Sequence, residues 1–329
     1  IMRYFTTGCR GVSYFEAPGD YRGECEQRIL TATTDARLIA IDALSGARCS
    51  QFGEQGEIDL SIGMGNDPRI FNFQTSPPGI VRGNAVVGGW VFDNQSVGEP
   101  SGVVRAFDAL SGEFAWAWDM GRPGVNTQPL RGEVYTRGTP NVWSLFSVDE
   151  ELGLIYAPTG NETPDYFGGQ RMESSEQYAS SIVAIDGETG SERWSFQTTH
   201  HDLWDYDVPS QPVLIDLPGE DGEKIPAVLV PTKRAEVFVL NRVTGEPIFD
   251  IQELPVPQEG GVPEDYVPMM LEEMELDGTD QRRDAWGDDV PLETRSKQPT
   301  STSTSSWVKA FKATVETNIP YLKSDIRSK

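Results

Sequence analysis

The densest cluster of residues that could do chemistry is Thr198-Thr-His-His-Asp-Leu-Trp-Asp-Tyr-Asp-Val-Pro209. It holds three aspartates and both histidines of the chain, together with a tryptophan and a tyrosine. Aromatic rings beside carboxylates can exclude water, and desolvation raises the basicity of a carboxylate. The cluster therefore predicts an acid–base site, and a hydrogen-bonded corner between strands is the alternative. Adjacent histidines point in opposite directions on a strand, so we do not expect His200 and His201 to share a metal.

Two further clusters place oxygen-bearing side chains directly after predicted strands. The first cluster runs from Trp90 to Gly102 and the second from Pro158 to Asp165, and both supply carboxylate, amide and hydroxyl oxygens. Hard oxygen ligands of this kind suit Ca²⁺ better than Zn²⁺. Taken singly, each cluster is also compatible with ordinary Asx-turn chemistry. The chain contains no nucleophile elbow, no Walker loop and no GxGxxG that opens a helix, so it lacks the motifs of several large enzyme classes.

A turn signature that recurs four times predicts the elements that position these clusters. Each copy is a predicted strand followed by Asp/Asn-x-x-Ser/Thr-Gly and a second strand, and the copies begin at Asp42, Asp108, Asp186 and Asn241. The Asp or Asn side chain caps the turn, and the glycine takes the positive φ that closes the hairpin. A further β-rich run precedes each copy, so each unit supplies about four strands. We expect a β-propeller whose long loops carry the polar clusters, and a β-sandwich is the alternative.

Composition limits the classes of protein to which the chain can belong. There are 51 Asp and Glu against 27 Lys and Arg, and the net charge of −24 argues against a nucleic-acid partner. The 33 glycines and 23 prolines lie scattered between apolar runs, which suits an all-β protein with frequent turns. The cysteines Cys9, Cys25 and Cys49 leave two states open, one disulfide with a free thiol or three thiols.

The repeat fades after Gly245, and this sets the expected domain boundary. We expect residues 1–262 to form a partial propeller of about four to five blades. Residues 263–329 are first acidic and then rich in Ser and Thr, and we expect them to form a tail. No apolar stretch approaches the roughly 18–20 residues that span a bilayer, and no signal sequence precedes the pattern. We therefore expect a mature or truncated piece of a protein.

Six stretches together resemble the membrane-bound pyrroloquinoline quinone (PQQ) dehydrogenases of the glucose and quinate type. In the family's order, they are Cys9-Arg-Gly-Val-Ser-Tyr14, Thr75-Ser-Pro-Pro78, Gly88-Gly-Trp-Val-Phe-Asp93-Asn94, Glu99-Pro-Ser-Gly102, Thr198-Thr-His-His-Asp-Leu-Trp-Asp205 and Pro231-Thr-Lys233. The resemblance implies an eight-bladed propeller at the periplasmic face of the bacterial inner membrane, with PQQ and Ca²⁺ near its axis. It also implies ubiquinone as electron acceptor, and membrane association through an N-terminal domain that is absent from this chain.

The resemblance also assigns roles to individual residues. It makes Asp205 the general base, Lys233 the cation at the quinone oxygens and Trp143 the ring that stacks on the cofactor. The other residues that it assigns are Arg10 and Phe15 at the cofactor, and Asp93, Asn94, Asn161 and Thr163 around Ca²⁺.

The implied function is PQQ- and Ca²⁺-dependent oxidation of a sugar or polyol hydroxyl, with hydride passing to PQQ. Phe15 stands where glucose-oxidising members usually carry His, which leaves room for quinate, shikimate or another polyol. A non-catalytic scaffold is the alternative from a different class, because PQQ-type repeats also build propellers that assemble outer-membrane proteins. Such a scaffold needs the repeated turns but has no use for the cluster at 198–205, so that cluster favours the enzyme.

Overall fold

The computed structural model of the chain consists mainly of antiparallel hairpins. It describes residues 11–65, 72–73, 76–91, 98–166, 168, 171–219 and 222–253. The elements of these residues are β1 (Ser13–Glu16), β2 (Gln27–Ala32), β3 (Arg37–Asp42), β4 (Glu57–Asp59), β5 (Asn72–Phe73), β6 (Gly79–Val81), β7 (Asn84–Val87), β8 (Trp90–Val91), β9 (Val104–Asp108), β10 (Phe114–Trp118), β11 (Ser147–Asp149), β12 (Leu154–Pro158), α1 (Glu173–Tyr178), β13 (Ser181–Asp186), β14 (Glu192–Gln197), β15 (Val213–Pro218), β16 (Lys224–Pro231) and β17 (Val237–Asn241).

The strands of the described residues form four main sheets that follow one another along the chain. The first sheet has the order β1-β2-β3-β4, the second β10-β9-β7-β6 and the third β11-β12-β13-β14, while the fourth has the three strands β15-β16-β17. β8 follows β7 in the chain but does not join the second sheet; it pairs with β5 in a separate two-stranded sheet. This arrangement confirms the all-β prediction, with about four strands to each repeat.

Side chains of the inner strands alternate between two cores, as the twofold period of a strand requires. On β7, Ala85 and Val87 belong to the core shared with the first sheet, whereas Val86 belongs to the core shared with the third. Every residue of β7 is buried, because a sheet covers each of its faces. The same alternation on β12 divides Ile155 and Tyr156 between the second and fourth sheets. Consecutive sheets therefore pack face to face in chain order, as the blades of a propeller do.

The four repeated turns close as the sequence predicts. Oδ1 of Asp108 accepts hydrogen bonds from the backbone N–H groups of Leu110 at 3.0 Å and Ser111 at 2.6 Å. Gly112, which ends this copy, has a φ of 77°, a value at which a β-carbon would strain the backbone. The equivalent contacts from backbone N–H groups recur at Asp42, Asp186 and Asn241.

Tryptophans of one sheet dock onto the turn of the next. Nε1 of Trp116 donates to the carbonyl oxygen of Gly187 at 3.0 Å, and a β-carbon on Gly190 would lie 2.6 Å from the Trp116 ring. Gly190 must therefore be glycine for the ring as well as for its φ of 72°. Trp194 repeats the contact one sheet later, where its ring packs against Gly245. These contacts hold the second, third and fourth sheets in sequence.

Three features of the chain lie around this core. A disulfide joins Cys25 to Cys49, and Cys9 lies outside the described residues. The backbone contacts divide the chain into two units, residues 1–256 and 257–329, and all described residues belong to the first. The predicted boundary at 262 and the tail beyond it lie outside the described residues and stay predictions. In the part of the chain that the structure describes, no helix is long and apolar enough to cross a membrane.

Candidate functional site

The carboxylate of Asp207 is the point at which the predicted site residues meet. Its Oδ2 accepts hydrogen bonds from Nε1 of Trp143 at 3.0 Å and from Nζ of Lys233 at 3.1 Å. Its Oδ1 accepts the backbone N–H of Asn161 at 2.7 Å. These partners come from the segment before β11, the β16–β17 turn and the loop after β12. The third and fourth sheets thus bring three separate segments to one buried carboxylate.

Asp205 lies two residues before this carboxylate and shares its cation. Oδ1 of Asp205 is 3.0 Å from Nζ of Lys233, and the two side chains are 29% and 30% exposed. Nζ of Lys233 also lies 6.0 Å from the centre of the Trp143 ring, at the outer limit of a cation–π contact. A carboxylate, an ammonium group and an aromatic ring therefore lie together where small molecules can reach them.

The electrostatics of this group set the protonation of Asp205. Burial and the negative charge of Asp207 raise the pKa of Asp205 to about 6, and they outweigh the attraction of Lys233. Burial alone would lower the pKa of Lys233, but the negative charges of Asp207 and Asp205 outweigh burial, and the net effect is a raised pKa. Lys233 is therefore charged at neutral pH, while Asp205 is an ionised carboxylate close to its titration point, as a general base should be.

Asp202 holds the backbone of the loop that presents Asp205. This side chain is fully buried, and it accepts the backbone N–H groups of Trp204 at 2.9 Å and Tyr206 at 2.7 Å and the hydroxyl of Ser180. Burial raises the pKa of Asp202. The two interpretations of the 198–209 cluster thus apply to different residues. Asp202 forms the hydrogen-bonded corner, and Asp205 has the setting of an acid–base group.

Asn161 joins the loop after β12 to the loop after β14. Its Nδ2 donates to the carbonyl oxygens of Asp165 and Asp202, each at 2.9 Å. Its Oδ1 accepts the backbone N–H of Glu162 at 2.9 Å and a bond from the guanidinium of Arg171. Both ends of the Asn161 amide are therefore occupied within the protein. To coordinate a metal, Oδ1 would have to exchange one of these bonds.

The side chain of Thr163 differs from that of Asn161 in its hydrogen bonding. Its side chain is 2% exposed, and its Oγ1 has no hydrogen-bond partner among the described residues. A buried hydroxyl without a partner costs about 1–3 kcal/mol, so native proteins rarely keep one. An oxygen that is buried two residues after Asn161, with no partner among the described residues, fits the donor set of a hard cation such as Ca²⁺.

The described contacts of Phe15 do not bring it to this group. Phe15 lies half-buried on β1 and packs against the core between the first and second sheets, and none of its described contacts reaches Trp143. Arg10, Asp93 and Asn94 lie outside the described residues. Among the residues that are described, no group of three or more His, Cys, Asp or Glu side chains is arranged to hold a metal. The assignments of Phe15, Arg10, Asp93 and Asn94 stay predictions.

The two histidines of the cluster make separate contacts at the surface. Nδ1 of His200 lies 2.7 Å from Oε1 of Gln197, and Nδ1 of His201 lies 3.0 Å from Oε1 of Glu176. They therefore have different partners.

Sequence reasoning missed the roles of Asp207 and Arg171. Asp207 lies inside the predicted cluster, and its spacing of two from Asp205 was a usable signal, since nearby carboxylates influence each other's charge. Arg171 carried no signal, because its contacts with Asn161 and the Asp202 carbonyl arise only when two loops meet.

Comparisons with known proteins agree with this fold. Residues 2–285 match the family model PQQ, described as glucose/ethanol/alcohol dehydrogenase, beta-propeller domain. The glycerol dehydrogenase large subunit of Gluconobacter oxydans (strain 621H) is 46% identical over 262 residues, which cover 79% of this chain and 35% of the relative. The quinoprotein glucose dehydrogenase of Escherichia coli (strain K12) is 42% identical over 264 residues, with 79% and 33% covered. The quinate/shikimate dehydrogenase (quinone) of Acinetobacter baylyi (strain ATCC 33305 / BD413 / ADP1) is 38% identical over 265 residues, with 75% and 33% covered.

Solved structures agree on the architecture. The quinohemoprotein alcohol dehydrogenase from Comamonas testosteroni matches with a TM-score of 0.56 at 24% identity, over 76% of this chain and 36% of that chain. That likeness establishes the fold, a β-propeller. The chain belongs to the family of PQQ-dependent quinoprotein dehydrogenases, as the resemblance predicted. It spans about a third of the length of the curated relatives it matches.

Proposed function

We propose that this chain supplies the cofactor-binding and proton-accepting part of a dehydrogenase that oxidises a sugar or polyol hydroxyl. The observation that carries the proposal is the pairing of Asp205 with Lys233 at 3.0 Å beside the Trp143 ring. The relatives named for glycerol and for glucose support this substrate class. Oxidation of quinate or shikimate is the second candidate, since a relative named for those substrates is 38% identical.

Trp143 and Lys233 are suited to hold the cofactor. PQQ, when bound, supplies the electron acceptor that takes hydride from the carbinol carbon. The Trp143 ring offers a flat apolar surface for a planar ring system, and its indole N–H is held by Asp207 rather than left to solvent. The Lys233 ammonium offers fixed positive charge where quinone oxygens gain negative charge.

Asp205 would take the hydroxyl proton of the substrate. With a pKa of about 6, it is largely ionised at neutral pH and remains close to the proton affinity at which a general base works well. Its position next to Lys233 keeps the carboxylate oriented before the proton arrives. Asp205 is thereby a catalytic residue in this proposal, and the neighbouring Asp202 is not, because its oxygens already accept bonds from the loop.

Thr163 would contribute a hydroxyl oxygen to Ca²⁺, whose role is to polarise a carbonyl as a Lewis acid. The support is its buried Oγ1, which lacks a partner among the described residues. Asp93 and Asn94 complete the proposed ligand set on the strength of the family resemblance. Asn161 belongs to the set only if calcium displaces the guanidinium of Arg171 from its Oδ1.

We infer the remaining partners from the family resemblance. Electrons would pass to ubiquinone, and the enzyme would work at the periplasmic face of the inner membrane, held there by a domain outside this chain. Phe15 would bias the substrate away from glucose. Phe15→His tests this, because an unchanged ratio of glucose to quinate oxidation would remove position 15 from substrate choice.

Reconstitution tests the function. The chain is titrated with PQQ in CaCl₂, binding is followed by quenching of tryptophan fluorescence, and oxidation of glycerol, glucose and quinate is then measured with a dye as acceptor. Asp205→Asn should keep PQQ bound and lose about 10²–10⁴-fold in turnover, the usual contribution of a general base. Asp216→Asn is the matched control, since Asp216 also pairs with a cation, Arg242, but lies on β15. Absence of PQQ binding and of turnover on all three substrates would favour the scaffold.

A further inference from the structure

We propose that Asp207 is a positioning residue that fixes Trp143 and Lys233 in one arrangement for the cofactor, an inference that rests on the proposed function. The two groups reach the site from segments that are 90 positions apart in the sequence, so packing within either segment does not set their relative position. Both donate to a single atom, Oδ2 of Asp207, at 3.0 and 3.1 Å. This shared oxygen determines where ring and ammonium stand relative to each other.

The Asp207 carboxylate is itself held in place. The residue is 6% exposed, and its Oδ1 accepts the backbone N–H of Asn161 at 2.7 Å. A β-carbon on Gly160 would lie 3.2 Å from the same Oδ1, so the carboxylate packs directly against this backbone. Gly160 in turn donates its N–H to the carbonyl oxygen of Asn141 at 2.8 Å. The carboxylate therefore has little freedom to rotate and can serve as a fixed reference.

The chemistry of the three partners requires a carboxylate at this position. All three neighbours donate, and an ionised Asp207 offers only acceptors. The amide of an asparagine would direct its NH₂ group at one of these donors and lose at least one bond. Lys233 gains a further benefit, because Asp205 becomes neutral when it takes a proton. Asp207 then still supplies an anion for the ammonium, which can stay in place through the reaction.

The contact is tested first without cofactor, on the full chain labelled with ¹⁵N-tryptophan. The eight tryptophans give eight indole N–H signals, and the one that is missing in Trp143→Phe belongs to Trp143. We expect this signal to move upfield in Asp207→Asn and to stay in place in Asp216→Asn, the control on β15. It should also move in Lys233→Met, because both donors share Oδ2, and this variant tests the same contact if Asp207→Asn does not fold. A Trp143 signal that stays in place in both variants overturns the proposal.

The consequence for the cofactor is tested by PQQ titration of the same variants. Loss of a hydrogen bond to a charged acceptor should raise the Kd for PQQ about tenfold in Asp207→Asn. In the Trp143→Phe background the same substitution should have a clearly smaller effect, since one of the two positioned groups is already gone. Effects that simply multiply would overturn the proposal, as would recovery of affinity by added CaCl₂, which would make Asp207 a metal ligand. If the unmodified chain binds no PQQ, the proposed function fails, while the indole signals still decide whether Asp207 positions the two groups.

Discussion

Replacing Thr163 by valine should make the chain more stable and bind calcium more weakly. The Oγ1 of Thr163 is buried and has no hydrogen-bond partner among the described residues, so folding removes it from water without compensation. Valine has nearly the same shape and places a methyl group where this oxygen lies. The substitution therefore removes the cost of an unsatisfied hydroxyl and also removes the oxygen that we assign to Ca²⁺.

The magnitude follows from the burial of this hydroxyl. An unsatisfied buried polar group costs about 1–3 kcal/mol, and we expect valine to recover about 1 kcal/mol of it when calcium is absent. For a domain of this size that corresponds to a rise in Tm of about 2–4 °C. Urea unfolding in EDTA measures the gain as a higher midpoint at unchanged slope. Added CaCl₂ should then stabilise the unmodified chain more than the valine variant, because stabilisation by a ligand grows with its affinity for the folded state.

Thr159→Val is the matched control, because Thr159, like Thr163, lies in the segment that follows β12. Oγ1 of Thr159 donates to the carbonyl oxygen of Tyr178 at 2.6 Å and accepts the backbone N–H of Ser181 at 2.8 Å, and the residue is fully buried. Valine at this position should cost about 1–3 kcal/mol, since it leaves both partners unsatisfied. If Thr163→Val loses stability as Thr159→Val does, the Thr163 hydroxyl has a partner within the protein and our reasoning about it is wrong. If calcium stabilises both chains equally, Thr163 is not a ligand.

Three other perturbations test separate parts of the structure. Because burial raises the pKa of Asp205 to about 6 and a base must be ionised, kcat/KM should fall below pH 6; a midpoint near pH 4 would contradict this. Replacing Cys25 and Cys49 by serine should cost about 2–4 kcal/mol in urea unfolding, and a reducing agent should then have no further effect. Gly190→Ala should lower the unfolding midpoint, because the new methyl group meets the Trp116 ring at positive φ, and unchanged stability would refute the docking contact.

The sequence predicts the sheets well because their signals are local. Oδ1 of Asp42 caps N–H groups only two and three residues away, so Asp-x-x-Ser-Gly contains all that the turn needs. The order of chemical clusters along the chain was also enough to identify the family, and Asp205, Lys233 and Trp143 do lie together. The sequence does not predict the disulfide, because three cysteines allow several pairings and nothing in the sequence shows which two approach each other.

The contacts of Asp207 could not be predicted in the same way. Its partners Trp143, Asn161 and Lys233 are 64, 46 and 26 positions away, and each arrives from a different loop. Only the packing of the third sheet on the fourth decides that these loops meet. The docking of Trp116 on Gly190 is similar, since a tryptophan after a turn indicates an apolar contact but does not identify the residue that it covers.

Two carboxylates share one cation at this site, and their combined charge bears on where a proton is taken up. With Asp205 and Asp207 both ionised, the group carries one more negative than positive charge, and that excess favours uptake of one proton. Asp205 is the group placed to receive it, because both oxygens of Asp207 already accept hydrogen bonds, from Trp143 and Lys233 on one side and from the backbone of Asn161 on the other. Once the proton arrives, Lys233 and Asp207 form a neutral pair whose contacts need not change. The two roles that we propose thus follow from the hydrogen-bond partners: Asp207 positions Trp143 and Lys233, and Asp205 accepts the proton.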